Sequence, residues 1–318
     1  LEVYWDELDD MIPRGPIRAS NSDDLERLHD ALFPDALWDR IAAADEVIIV
    51  PDGALNRLPF EALIVSQDSG NPRYWLDEGP PIRYAASATA LYNVERRTSE
   101  LGQGVLSVSD PMFDLDPFLL EEISRTSITR SGFERAGGTL ERLPFTAQET
   151  EAIQRAFGSQ DVTVLQQLDA TEVNLREAVE GDHRYLHLAT HGTIDERRGS
   201  MYASLALTPV SESDPQPDND GFLELREVYG LDLSSVALAV LSACETNVGE
   251  DYVGEGVFSL SRGFLAAGAQ RVIATQWQVD DRATSILIGA MFEEIAQAGE
   301  NVDYAQALRT AQLQVRSN

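Results

Sequence analysis

Two runs of this chain are apolar almost without interruption and then stop on polar residues: "RYLHLATHG" (184–192) and "VALAVLSACET" (236–246). Runs this short read as strands, and strands apolar on both faces belong inside a sheet covered on both sides. "GVLSVSDP" (104–111), "DVTVLQQL" (161–168) and "QRVIATQW" (270–277) read as further strands. Segments of helical character alternate with them: "TAQETEAIQRAF" (146–157), "DATEVNLREAVE" (169–180), "GVFSLSRGFLAAG" (256–268) and a stretch from about 282. In the last, Ala283, Ile286, Leu287, Ala290, Met291 and Ile295 form one stripe. Thr146 with Glu149 three residues on reads as a capping box. Strand and helix in alternation predict an α/β fold with a mostly parallel central sheet and helices on both faces. "ASLALTP" (203–209) and "FLELREV" (222–228), separated by an acidic, Pro-containing loop, suggest a hairpin or an excursion from that pattern.

The strand ends carry the chemistry. The first run ends on His191-Gly192, and the second ends on Cys244, the one cysteine of the chain. Open α/β sheets bind ligands beyond the carboxyl ends of their strands. If the two strands are neighbours, both side chains rise from one rim. A thiolate is a strong nucleophile, and a nearby imidazole can protonate the amine that leaves a cleaved amide. Gly192 has no Cβ, so a substrate can approach its N–H, which would serve as an oxyanion donor. The separation, 244 − 191 = 53, matches the spacing of about 50 already known for the His and Cys of caspases. Taken singly, a Cys at a strand end is more often a small buried hydrophobe, and a His beside Gly a turn residue. His187 lies four residues before His191, on the same face by strand alternation. It reads as a buried, hydrogen-bonded core histidine. His183 and His29 read as structural or solvated.

The charge balance narrows the chemistry further. Against 54 acidic residues stand 24 basic ones, a net charge of −30, and every basic residue is Arg. Without lysine there is no P-loop lysine, no Schiff base and no lysine general base. Direct nucleic-acid binding is disfavoured because phosphates would meet a negative field. The acid is spread along the chain, which reads as solvation rather than as a focused binding patch. One Cys forms no internal disulfide and fits a reducing, cytoplasmic setting. With four His and no Cys-x-x-Cys or His-Glu-x-x-His spacing, no metal site and no cofactor are expected. No apolar run approaches the length of a membrane span.

The N-terminal portion is less regular. Residues 1–45 read as amphipathic helix broken at Pro13, Pro16 and Pro34, "EVIIVPDG" (46–53) as a short strand, 66–81 as a polar loop, and "SATALYNVERR" (87–97) as a helix. This gives two regions: a smaller α/β region over 1–100 and the regular α/β region over 101–318. The chain opens on Leu1, which reads as part of a longer or processed polypeptide.

The motifs "IIVPDGALNRLPFEAL" (48–63), "LHLATHG" (186–192), "LALTP" (205–209), "LAVLSACETNVG" (238–249), "GEGVFSLSRGFLAAGAQRVIATQWQVDD" (254–281) and "ALRTAQLQV" (307–315) resemble those of the CHAT-domain peptidases, bacterial relatives of caspases and separases. The resemblance covers nearly the whole chain in family order. It implies a caspase-like three-layer sandwich and a cysteine endopeptidase. His191 falls on the family's histidine and Cys244 on its nucleophile, with the Gly192 and Cys244 amides where oxyanion donors are expected. It also implies a protein substrate and a fused or associated sensor or repeat module. The family usually continues past "ALRTAQLQV" into a final strand that this chain lacks. Ser242-Ala243-Cys244 replaces the Gln-Ala-Cys of caspases, so a preference for Asp is not carried over.

Asp280, Asp281 and Trp277 end the last strand. Both acids read as helix caps. The segment also resembles the part of separases that helps recognise a basic P1 residue, which would make Asp281, with Asp280, an acidic pocket floor and Trp277 a wall of the substrate groove. A rival to the peptidase is a catalytically silent caspase-like module that binds a protein. A nucleotide-binding domain is a weaker third reading, because no Gly-rich phosphate loop follows a strand.

Overall fold

The computed structural model describes residues 10–13, 16–97, 99–113, 140–193, 203–209, 219–243, 250–252, 256–258, 260–277 and 279–317. By its contacts the chain divides into two units: Leu1–Glu95 with Asp251–Val257 and Ala298–Asn318, and Arg96–Glu250 with Phe258–Gln297. The C-terminal helix Tyr304–Ser317 therefore clusters with the first unit.

Five strands build the second unit: β1 (Val105–Pro111), β2 (Val162–Gln167), β3 (Tyr185–Ala189), β4 (Leu238–Ser242) and β5 (Val272–Ala274). All neighbours are parallel, in the order β5-β4-β3-β1-β2. The three central strands are buried at every position, while β2 and β5 are partly exposed edges. That difference is why β3 and β4 each carry one strongly polar residue, His187 and Ser242, while the edge run "DVTVLQQL" is more polar.

Four helices cover the sheet: α1 (Pro144–Phe157), α2 (Glu172–Val179), α3 (Leu260–Ala266) and α4 (Asp281–Ala298). On one face, Leu106, Val108, Leu186, Leu188, Ala239 and Leu241 pack with Leu175 and Val179 of α2 and Leu260 and Phe264 of α3. On the other face Tyr185 meets Phe157 of α1 and Phe292 of α4, at 5.4 and 6.4 Å between ring centroids. A Cβ at Gly289 would sit 3.1 Å from that of Ala152, so the two helices lie close together. The result is a helix–sheet–helix sandwich. "ASLALTP" and "FLELREV" do form a hairpin: Ser204–Ala206 pairs antiparallel with Phe222–Glu224, and Gly192–Thr193 adds a third strand.

One cap differs from the sequence reading. Helix α1 begins at Pro144, whose missing N–H and fixed φ suit the first helical position. Thr146 and Glu149 therefore form no capping box; both are buried against the sheet. The cap of α2 is Thr171, whose Oγ1 accepts from the Asn174 N–H at 3.2 Å.

The first unit has a parallel pair, Val47–Ile49 with Ile82–Tyr84, and an antiparallel hairpin, Ile64–Asp68 with Asn71–Tyr74. Residues 66–81 are thus no polar loop. Ser69 and Gly70 both adopt positive φ (53° and 85°), the two-residue turn that matches strand twist. Leu25, Leu28, Leu58, Phe60, Leu63 and Ile64 form its core. His29 is buried edge-on to Trp38, with ring centroids 4.9 Å apart. The Arg309 Nε and Nη2 donate to the carbonyls of Leu76 and Asp77 at 3.1 and 3.2 Å, docking the C-terminal helix.

One buried acid of the second unit sets a pH dependence. Glu172, at the first turn of α2, accepts from the Gly221 N–H at 2.7 Å. Burial, with the negative charges of Glu227 and Asp220 adding to it, raises its carboxyl to about 8. The folded chain then holds a proton that the unfolded chain releases near 4.5, so this residue's contribution falls as pH rises from about 4.5 to 8. The loss is at most about 1.4 kcal/mol per pH unit. Glu172→Gln keeps an oxygen for Gly221 and removes the ionisation. In denaturant titrations from pH 5 to 8 the variant is expected to gain steadily on the parent. A stability difference that does not change with pH would contradict this.

Candidate active site

Register brings three strand ends level. Ser109 of β1 pairs with Ala189 of β3, and Ala189 pairs with Ser242 of β4. The residues that follow share one carboxyl rim. The strand order reverses between β1 and β3, the kind of switch point where open α/β sheets bind ligands.

His191 follows β3 by two residues, and its backbone is fixed from both sides. The Thr190 N–H donates to the Ser242 carbonyl at 3.2 Å, and the Thr190 hydroxyl donates to the Ala206 carbonyl. The Ala206 N–H donates to the His191 carbonyl at 2.9 Å. Gly192 enters the small antiparallel sheet opposite Leu205. The imidazole is half-buried, with the Phe113 ring 5.5 Å away. Its Nε2 lies 2.6 Å from the Glu141 carbonyl. A carbonyl only accepts, so Nε2 carries the proton of this bond.

The Glu141 carbonyl is anchored by the next residue. The Arg142 guanidinium grips Asp110 through two parallel bonds, Nε to Oδ1 at 2.7 Å and Nη2 to Oδ2 at 2.5 Å. Such forks fix direction as well as distance. Asp110 ends β1 with a buried carboxylate and a left-handed backbone, φ 50°. Aspartate tolerates that conformation better than most residues. Its N–H donates to the Thr146 Oγ1 at 2.9 Å, and that hydroxyl donates to the Leu143 carbonyl at 2.7 Å. Here is the work Thr146 does in place of capping.

Asp281 lies in the same electrostatic neighbourhood. Its Oδ2 accepts from the Phe145 N–H at 3.2 Å, at the start of α1. Burial raises its carboxyl and the charges of Asp280 and Asp110 add to that; the Phe145 N–H and nearby His191 oppose it. Asp280 caps α4: its Oδ1 accepts from the Ala283 N–H at 2.8 Å, and its carbonyl accepts from the Thr284 N–H at 2.9 Å. Trp277 is half-buried in the turn between β5 and α4. Cys244, with its amide, lies outside the described residues. Ala243, just before it, is buried and its carbonyl accepts from the Thr275 hydroxyl.

Beneath the rim runs a buried polar chain. Glu149 of α1 meets the His187 Nε2 at 2.7 Å through Oε2 and accepts from the Ser242 hydroxyl at 3.0 Å through Oε1. The His187 Nδ1 is 2.9 Å from the Ser107 hydroxyl, which meets Thr150 at 2.8 Å; Thr150 meets Ser109 at 2.7 Å. His187 is thus a hydrogen-bonded core residue. Burial raises the Glu149 carboxyl, and its bonds to His187 and Ser242 oppose the shift. Sequence reasoning missed Glu149, Asp110, Glu141 and Arg142. The signals for two of them were present: serines at alternate positions of a buried strand need a partner, and Asp-Pro marks where that strand breaks. Among the described residues no group of His, Cys, Asp or Glu is arranged to hold a metal ion. No described helix is long and apolar enough to cross a membrane.

The CHAT domain family model matches residues 22–318. No curated protein matches the chain. The crystal structure of the Arg-specific cysteine proteinase gingipain R is similar over 99% of this chain and 71% of that one, with 11% identity and a TM-score of 0.50. The complex of Porphyromonas gingivalis RgpB pro- and mature domains is similar over 100% and 73%, with 11% identity and a TM-score of 0.51. At this identity the likeness shows the fold, a caspase-like one.

The anchor on His191 makes a spectroscopic prediction. In the parent, imidazole ¹⁵N NMR should show His191 as the Nε2-protonated tautomer. Arg142→Ala frees the Glu141 carbonyl, and the ring should then populate both tautomers. A ring still wholly Nε2-protonated in that variant would remove Arg142 from the anchoring role.

Proposed function

The chain belongs to the CHAT domain family, and we propose that it is a cysteine endopeptidase working through His191 and Cys244. The observation that carries this reading is the geometry of His191. Its ring stands at the carboxyl rim beside the switch point with its Nε2 proton committed to a backbone carbonyl, and we assign the chemistry to Nδ1. Positions 191 and 244 each follow by two residues the register pair Ala189 and Ser242 on adjacent parallel strands.

In this mechanism the Cys244 thiolate attacks the scissile carbonyl, and the carbon–nitrogen bond breaks as imidazolium His191 gives its proton to the departing amine. Water, deprotonated by the now neutral His191, releases the acyl-enzyme. The N–H groups of Gly192 and Cys244 would stabilise the oxyanion. Asp281 sits where a negative charge acts on the same rim. It is the acid we assign to a basic P1 side chain, and Trp277 is the wall we assign to the substrate groove. Asp280, engaged with the first turn of α4, contributes charge there. A protein substrate and an activating sensor or repeat module, in a cytoplasmic setting, complete the proposal.

The test is cleavage by the full-length polypeptide, mapped on a peptide library. Cys244→Ala should reduce turnover to background, and His191→Ala should reduce it by about 10²–10⁴-fold. Cuts should follow Arg, and Asp281→Asn should weaken that preference. A peptidyl acyloxymethyl ketone should label Cys244. A Cys244→Ala chain that still cleaves would end the peptidase reading. A Cys244-dependent cut after apolar residues would end only the assignment of Asp281.

A further inference from the structure

We infer that Glu149 is a positioning residue for the proposed dyad, a single carboxylate that sets the heights of the two strand ends carrying His191 and Cys244. The inference rests on the peptidase reading and goes beyond it, because among the described residues the side chain of Glu149 bonds His187 and Ser242 rather than His191.

The argument starts from what is unusual about the site. Glu149 is completely buried, as are its partner His187 and the serines of β1. A buried carboxylate is retained only where each oxygen is satisfied. Here the two oxygens go to two different strands. Oε2 meets His187 of β3 at 2.7 Å, and Oε1 accepts from Ser242 of β4 at 3.0 Å. His187 precedes His191 by four residues, and Ser242 precedes Cys244 by two. Ser242 is the last residue of β4, two positions before Cys244 in the chain.

The backbone ladder alone does not fix this arrangement. The β3–β4 ladder holds Ala189 against Ser242, and parallel ladders give no side-chain anchor at their ends. The Glu149 fork adds one, and it ties both strands to a helix. It reaches the third central strand too, because His187 hands its other nitrogen to Ser107 at 2.9 Å. The Gln166 amide of β2 donates to Ser109 at 2.9 Å and extends the chain of contacts to the edge. Helix α1 itself is pinned to the rim at its start, where Phe145 donates to Asp281 and Thr146 accepts from Asp110. One helix thus connects the surroundings of His191 with the carboxyl end of β4. A shift of β4 against β3 by a few tenths of an ångström would stretch one arm of the Glu149 fork.

Positioning predicts an effect on kcat rather than KM, because substrate contacts lie above the rim and stay intact. The experiment uses the full-length polypeptide and the peptide substrate defined by its cleavage map. Ser242→Ala removes one arm of the fork with little change in volume and should lower kcat about tenfold with KM unchanged. Ser242→Thr restores a hydroxyl and should recover most of the loss. Glu149→Gln should also lower kcat by tenfold or more. The double variant Glu149→Gln/Ser242→Ala should be no slower than the worse single variant, since both act through one contact. Melting temperatures identify any loss that comes from unfolding, and Ser242→Ala remains the decisive variant if Glu149→Gln fails to fold. Ser242→Ala at parental kcat, in a chain that Cys244→Ala inactivates, would overturn the positioning role and leave the peptidase reading standing. Losses that Ser242→Thr fails to recover, or that simply multiply in the double variant, would overturn it equally.

Discussion

The second unit depends on one arrangement: a buried Glu–His pair inside a sheet covered by helices on both faces. The Glu149–His187 contact at 2.7 Å places two ionisable groups where water does not reach. Stranding either would cost several kcal/mol, by the general behaviour of buried pairs that lose one member. Ser107 and Ser242 bond the pair directly, and Thr150 and Ser109 continue the chain from Ser107. The opposite face of the same strands carries Leu, Val and Ala. One sheet thus has an apolar side that supplies burial and a polar side that supplies direction, because hydrogen bonds fail with misalignment in a way that apolar contacts do not.

At the rim the same principle governs a chain of contacts that leads outward. Asp110 is held in a left-handed backbone, its N–H satisfied by Thr146 and its carboxylate by Arg142. Arg142 places the Glu141 carbonyl, and that carbonyl selects the tautomer of His191. Three sequence-distant segments therefore agree on the orientation of one ring. Asp281, bonded to the first turn of α1, adds a charge that both Asp110 and His191 feel.

The sequence showed the sheet plainly because burial on both faces leaves little choice of residue. β3 and β4, apolar but for His187 and Ser242, were legible in place and order; α4 was legible in place, but of its expected stripe Ala283 and Ile286 are exposed while Ala290, Met291 and Ile295 are buried. His187 was legible as a core residue from strand alternation. What escaped notice was pairing over long separations. Glu149 follows Thr146 by three residues, which fits a capping box as well as it fits a side chain aimed at the sheet, and only Pro144 marks the true helix start. Asp110 and Arg142 are 32 residues apart, and no local pattern signals such a contact. The hairpin at Ser69–Gly70 was hidden because its strands are short and mostly half-buried, so alternation gave no cue.

The division of the chain into units has a consequence for its birth. The first unit is discontinuous: the helix Tyr304–Ser317 docks on the carbonyls of Leu76 and Asp77 through Arg309. Residues up to Glu95 leave the ribosome long before that partner exists. At about 5–20 residues per second, the wait is roughly ten to forty seconds. The parallel sheet, whose last helix ends at Ala298, is synthesised within that interval. The N-terminal portion must therefore persist as an unfinished nascent structure, with its docking surface for the helix Tyr304–Ser317 uncovered, until that helix has been synthesised.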